Sequence, residues 1–105
     1  MARSSHRYSN MKLNFLSIIE ITAQVCGTTP RDILGRRKMG KVATARQISF
    51  WFARRGRTYM AMAKMFNRHY ATGIHAVKTV NNRLSVGDPE TTRVVEEVER
   101  ELAKT

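Results

Sequence analysis

TYMAMAKMFNRHYATGIHAVKTVNNRL, residues 58–84, holds two amphipathic helical patterns with a tight break between them. In the first, Tyr59, Met62, Ala63 and Phe66 recur at helical spacing, so one side can bury while Lys64 stays in water. Asn67 interrupts the pattern. Beyond it Ile74, Val77, Val80 and Leu84 form the expected apolar stripe of a second helix, with His69, Tyr70, Thr72, His75, Lys78 and Thr79 near or on the other side. A small residue at Ala63 allows two helices to cross closely. Two such helices, the second basic and rich in hydrogen-bonding groups outside, read as a helix-turn-helix whose second member enters the major groove of DNA. The same pattern also occurs in helical domains that bind nothing charged, so it does not stand alone. Gly73 costs about 1 kcal/mol inside a helix relative to alanine, and close approach of the backbone to a phosphate or a DNA groove would account for it.

The chain around this stretch is short and strongly basic. Its 105 residues suffice for one modest core, and the formal net charge of +11 makes a polyanion the default partner. The charge is also unevenly spread. From Arg31 to Arg83 the cations face Asp32 alone, whereas Asp88, Glu90, Glu96, Glu97, Glu99 and Glu101 gather in the last segment. No run approaches the roughly 18 apolar residues needed to cross a bilayer, and the N-terminus lacks a secretion signal's apolar core. A soluble, intracellular protein is therefore expected. Cys26, the single cysteine, reads as a buried thiol, and His6, His69 and His75 share no ligand spacing with it or with one another, so no metal is expected.

In chain order, residues 1–9 read as a flexible basic tail and residues 10–105 as one all-α domain of about six helices. A helix from Asn10 to Cys26 presents Leu13, Leu16, Ile19 and Val25, with Phe15 and Ile18 beside them, and ends at Gly27. Thr29, Pro30 and Asp32 form the capping pattern of a short second helix anchored by Ile33 and Leu34. GRRKMGKV, residues 35–42, comes within one residue of a P-loop, but Val42 stands where the magnesium-holding hydroxyl belongs and no strand precedes Gly35, so no nucleotide cofactor is expected. A basic loop laying Arg36, Arg37, Lys38 and Lys41 along a sugar-phosphate backbone suits these residues better. A third helix, about Lys41 to Arg55, buries Ala45, Ile48, Trp51 and Phe52 and turns Arg46, Gln47 and Arg54 outward. The basic turn Arg54, Arg55, Gly56 and Arg57 precedes Thr58, a helix cap, and suits phosphate anchoring. After Leu84, Asp88 and Pro89 open a last helix that packs through Val94, Val95, Val98 and Leu102 and turns an acidic face away from DNA.

Three blocks of this chain, VCGTTPRDILGRRK, ATARQISFWFARR and RHYATGIHAVKTV, resemble in order and spacing the C-terminal DNA-binding domain of the bacterial replication initiator DnaA, whose signature has the form RDHATVIHAVKKI. The resemblance runs from about Ile18 to Arg83. It implies a helix-turn-helix on double-stranded DNA, with Arg68, His69, Tyr70 and Ala71 as base readers and Lys38 at the minor-groove position of the basic loop. It also implies that Thr72 faces the backbone and that Arg46 and Gln47 anchor phosphates. Arg54, Arg55, Arg57, Thr58, His75 and Lys78 complete the phosphate-facing set. His69 and Tyr70 stand where the signature has Asp and His. Because Asp accepts from cytosine while His donates to guanine, the site read is expected to differ from the initiator's own.

The expectation is a non-enzymatic, sequence-preferring DNA-binding protein, standing alone without the initiator's ATPase motor and regulating replication or transcription, with a mobile-element accessory factor among the roles. With Asp32 the sole central acid, no carboxylate pair supports metal-assisted nuclease chemistry. The rival is an architectural, weakly specific coating protein. Structured RNA has the charge in its favour, but the exposed aromatics usual for single-strand readers are missing. A monomer is the default, with the acidic last helix as the surface for a protein partner.

Overall fold

The computed structural model describes residues 12–105. The expected tail at residues 1–9, and Asn10 with it, lies outside the described residues. Six helices and no strand occur among them: α1 Phe15–Cys26, α2 Pro30–Leu34, α3 Gly40–Ala53, α4 Tyr59–Phe66, α5 Tyr70–Ser85 and α6 Pro89–Ala103.

Local chemistry sets the boundaries. Helix α1 begins at Phe15, later than the apolar pattern suggested, because the Asn14 side chain accepts from Ser17 N at 2.9 Å and caps it there. It ends where Gly27 turns left-handed at φ 73 and Thr28 N donates to Ala23 O. Thr29, Thr58 and Asp88 cap α2, α4 and α6, each accepting from the backbone N–H three residues on. The expected break at Asn67 is a left-handed C-cap. With φ at 54, it lets Arg68 N reach back to Ala63 O and reverses the chain within three residues.

Helix α3 is the centre of the fold. It packs against α1, α2 and α5, and its buried residues Val42, Ala45, Ile48, Phe50, Phe52 and Ala53 spread over most of its circumference. A fully buried Phe or Ile contributes about 1.5–3 kcal/mol, so this helix holds much of the hydrophobic stabilisation. Phe50 of α3 stacks on Phe66 of α4 with centroids 3.9 Å apart, and Phe15 of α1 meets Phe66 edge-on at 5.2 Å, joining three helices at one aromatic cluster. Trp51 is half-buried against the core and donates from Nε1 to Asn81 Oδ1 on α5 at 2.8 Å.

Two expected core residues lie outside. Leu16 is 65% exposed, because the buried stripe of α1 is Ile18, Ile19, Thr22 and Ala23, which turns Leu16 outward with Glu20 and Gln24. Ile74 is 40% exposed, because the inner face of α5 runs through Gly73, Ala76 and Val80. Gly73 therefore has a packing reason: a Cβ there would lie 3.3 Å from Phe50 Cδ1 and 3.5 Å from Tyr59 Cδ1. The glycine faces the core, not a phosphate. In register with the signature quoted above it takes the place of valine, and the Phe50 ring fills the space.

Candidate nucleic-acid interface

Turning Gly73, Ala76 and Val80 inward leaves His69, Tyr70, Ala71, Thr72, Ile74, His75 and Lys78 exposed along the first half of α5. The loop after α2 carries Arg36, Arg37 and Lys38, all exposed. The two meet around an open cleft of about 650 Å³ to which the loop gives Arg36 and Lys38, α3 gives Gln47, and the turn and α5 give Arg68, Thr72 and His75. Cations and hydrogen-bonding groups from three separated stretches thus converge on one concave surface.

His69 does two jobs. It is the N-cap of α5, with Nδ1 accepting from Ala71 N at 3.1 Å, and its ring stacks on Tyr70 at 4.7 Å between centroids. With Nδ1 accepting, the ring offers Nε2–H as its donor. Such a donor suits the O6 or N7 acceptors of guanine, where an aspartate suits the amino group of cytosine. Arg68 is half-buried at the rim of the cleft and donates from Nη2 to Gly35 O, tying the turn to the start of the basic loop.

Several cations expected at phosphates are committed elsewhere. Arg46 is only 9% exposed; its Nε donates to Ile33 O at 2.6 Å, and its Nη2 donates to Asp32 O at 2.8 Å and Gly35 O at 3.1 Å. The guanidinium lines the floor of the cleft while closing the orphan carbonyls at the end of α2, a helix too short to satisfy them itself. Burial, and then repulsion from Arg68, makes its proton easier to lose than an ordinary guanidinium's, with Asp32 opposing. Arg57 is likewise 9% exposed and donates to Ala53 O at 3.1 Å and Leu13 O at 2.6 Å, strapping the segment before α1 to the end of α3. Arg55 turns away from the cleft, 3.4 Å from Glu99 of α6, with both side chains nearly buried.

Other members of the expected set remain outside. Arg54 is exposed, donates to Arg57 O at 2.7 Å and lies over the Tyr59 ring at 4.5 Å. Lys41, Lys78 and Thr58 are exposed, although the Thr58 hydroxyl accepts from Ala61 N as a cap. Gln47 is half-buried and accepts from Arg83 Nη1 at 3.2 Å. Arg37 lies 3.8 Å from the Asp32 carboxylate, an exposed pair that contributes little. Two exposed apolar side chains lie on the loop and α5: Met39, to which sequence reasoning gave no role, and Ile74, which it put in the core. The spacing of Gly73, Ala76 and Val80 was the signal available for Ile74.

Taken with the fold, this surface defines a DNA-binding helix-turn-helix domain. The model of the bacterial DnaA protein helix-turn-helix family matches residues 16–80, and the chain belongs to that family. It is 30% identical over 89 residues to the chromosomal replication initiator protein DnaA of Thermotoga petrophila, covering 83% of this chain and 20% of that protein. To the chromosomal replication initiator protein DnaA 1 of Chlamydia trachomatis it is 24% identical over 98 residues, 90% of this chain and 22% of the relative. The protein of the same description from Chlamydia muridarum is 26% identical over 83 residues, 77% of this chain and 18% of the relative. The chain spans about a fifth of the length of these curated relatives.

Proposed function

We propose that this chain is a sequence-preferring double-stranded DNA-binding protein that controls replication or transcription by occupying its sites, without hydrolysing nucleotide itself. In this reading α5 lies in the major groove, with His69, Tyr70 and Ala71 at base edges, and Arg36, Arg37 and Lys38 hold the backbone and the adjacent minor groove. Thr72, His75 and Lys78 then face the phosphates that border the major groove. The observation that carries the reading is the convergence of the loop and the outer face of α5 on one cleft. The relatives' role in initiating chromosomal replication supports placing the bound sites near origins or in the promoters of replication genes.

A selection from randomised duplex DNA at about 150 mM salt, where non-specific attraction is strongly reduced, tests it. Enrichment of one compact motif is the expected result. Binding at low salt with no enrichment would favour an architectural coating protein, a reading that draws on the altered side chains at His69 and Tyr70.

A further inference from the structure

Among the described residues, five of the six helices start on a side chain that accepts a first-turn N–H: Asn14, Thr29, Thr58, His69 and Asp88. Helix α3 is the exception. Its N-cap is Met39, which makes no such bond, at a position where Ser, Thr, Asn or Asp is strongly preferred. Met39 does not serve the core either. It is 51% exposed, and its one polar neighbour is Arg37, whose Nη1 donates to Sδ at 3.4 Å. Gly40 follows with nothing within 4 Å of where a Cβ would stand and without a positive φ, so neither packing nor backbone conformation calls for glycine.

Two adjacent positions thus hold residues that the fold does not use, at the outer end of a loop carrying exposed Arg36, Arg37 and Lys38, with exposed Lys41 directly after them. An apolar side chain with cations on either side of it in the chain suits the DNA minor groove, where phosphate strands flank a path to the stacked bases. A bare glycine lets the backbone approach closely, and a flexible, polarisable thioether can slide between base pairs. An apolar groove on a protein would offer nothing to four cations.

We propose that Met39 is a wedge that enters the minor groove, partly unstacks one base step and kinks the duplex toward the major groove occupied by α5. The proposal rests on the DNA-binding reading above and adds deformation of the DNA to it. It makes a flexible base step, such as TA or CA, part of the preferred site without a hydrogen bond to that step.

The test uses a short duplex bearing the enriched motif, or a random duplex if none is enriched, with 2-aminopurine at successive steps of the flanking minor groove and fluorescent dyes on its ends. With the parent protein, 2-aminopurine emission should rise severalfold at one step and the ends should approach as for a kink of about 20–90°. Met39→Leu should retain both signals. Met39→Ser should lose both while its Tm rises by a few degrees, because the new hydroxyl caps α3; that rise separates loss of the wedge from misfolding. A bound but straight and stacked duplex, or an unchanged kink with Met39→Ser, would overturn the wedge and leave the DNA-binding reading standing. Failure of the parent to bind any duplex would overturn both.

Discussion

Arg46 and Arg36 lie ten positions apart and border the same cleft, yet their work differs. Arg46 is nearly buried and spends its guanidinium on the carbonyls of Asp32, Ile33 and Gly35. Arg36 is exposed, on a loop that begins where those carbonyls end. The buried arginine holds the end of α2 in place, and the loop beyond it presents its charge from a fixed base. The count of cations therefore overstates how many side chains can donate to phosphates, because Arg46, Arg55 and Arg57 use their donors on the protein itself.

The largest effect that would sharpen this contrast is on stability. Arg46→Ala removes charge-assisted bonds worth about 1.5–3 kcal/mol each, so a loss of about 3 kcal/mol or more is expected, seen as a fall in Tm of roughly 12–24 °C. Arg46→Lys should recover only part of it, since one ammonium cannot span three carbonyls as the guanidinium fork does. A Tm within a degree or two of the parent's would mean that Arg46 is free for DNA after all.

Next in size is base reading at the start of α5. Tyr70→Ala should lower the ratio of specific to random DNA binding by about 5- to 150-fold, the equivalent of one base contact at about 1–3 kcal/mol, while sparing random binding. His69→Asp is the sharper companion, because aspartate retains a capping oxygen but carries no donor. Parallel loss of specific and random binding in competition titrations would assign both residues to the fold or the backbone.

Cys26 supplies the smallest effect, far from the cleft. Burial, with Arg93 opposing, raises its thiol from 9.0 to about 11. The folded state thus holds the proton more tightly than the unfolded state. Stability from this group is complete below about pH 9 and declines as pH rises toward 11. Denaturant melts of the parent against Cys26→Ser should diverge in that window alone, and thiol-reactive dye at pH 8 should label the native protein slowly.

Much of the fold was legible because caps and glycines are local signals. Thr29, Thr58, Asp88 and Gly27 acted where the sequence placed them, and Val94, Val95, Val98 and Leu102 are buried on α6 as their spacing required. The inner face of α5 was misread because a glycine and an alanine form its closest contacts with the core, and small residues look like gaps in an apolar pattern. The family resemblance pointed to α5 and the loop after α2, which the fold brings to one cleft, but it could not tell which arginines the protein itself engages. That depends on carbonyls contributed by segments distant in sequence, such as Leu13 for Arg57. Nothing in a sequence pattern marks a carbonyl as lacking a partner.

The most direct measurement compares the salt dependence of random-duplex binding for the parent and for the triple variant Arg36→Ala, Arg37→Ala, Lys38→Ala, alongside thermal melts of both. If these three side chains hold phosphates, the slope of log K against log salt should fall by about three units, one per contact, while the Tm stays nearly unchanged. An equal slope in variant and parent would contradict the assignment of the loop to DNA.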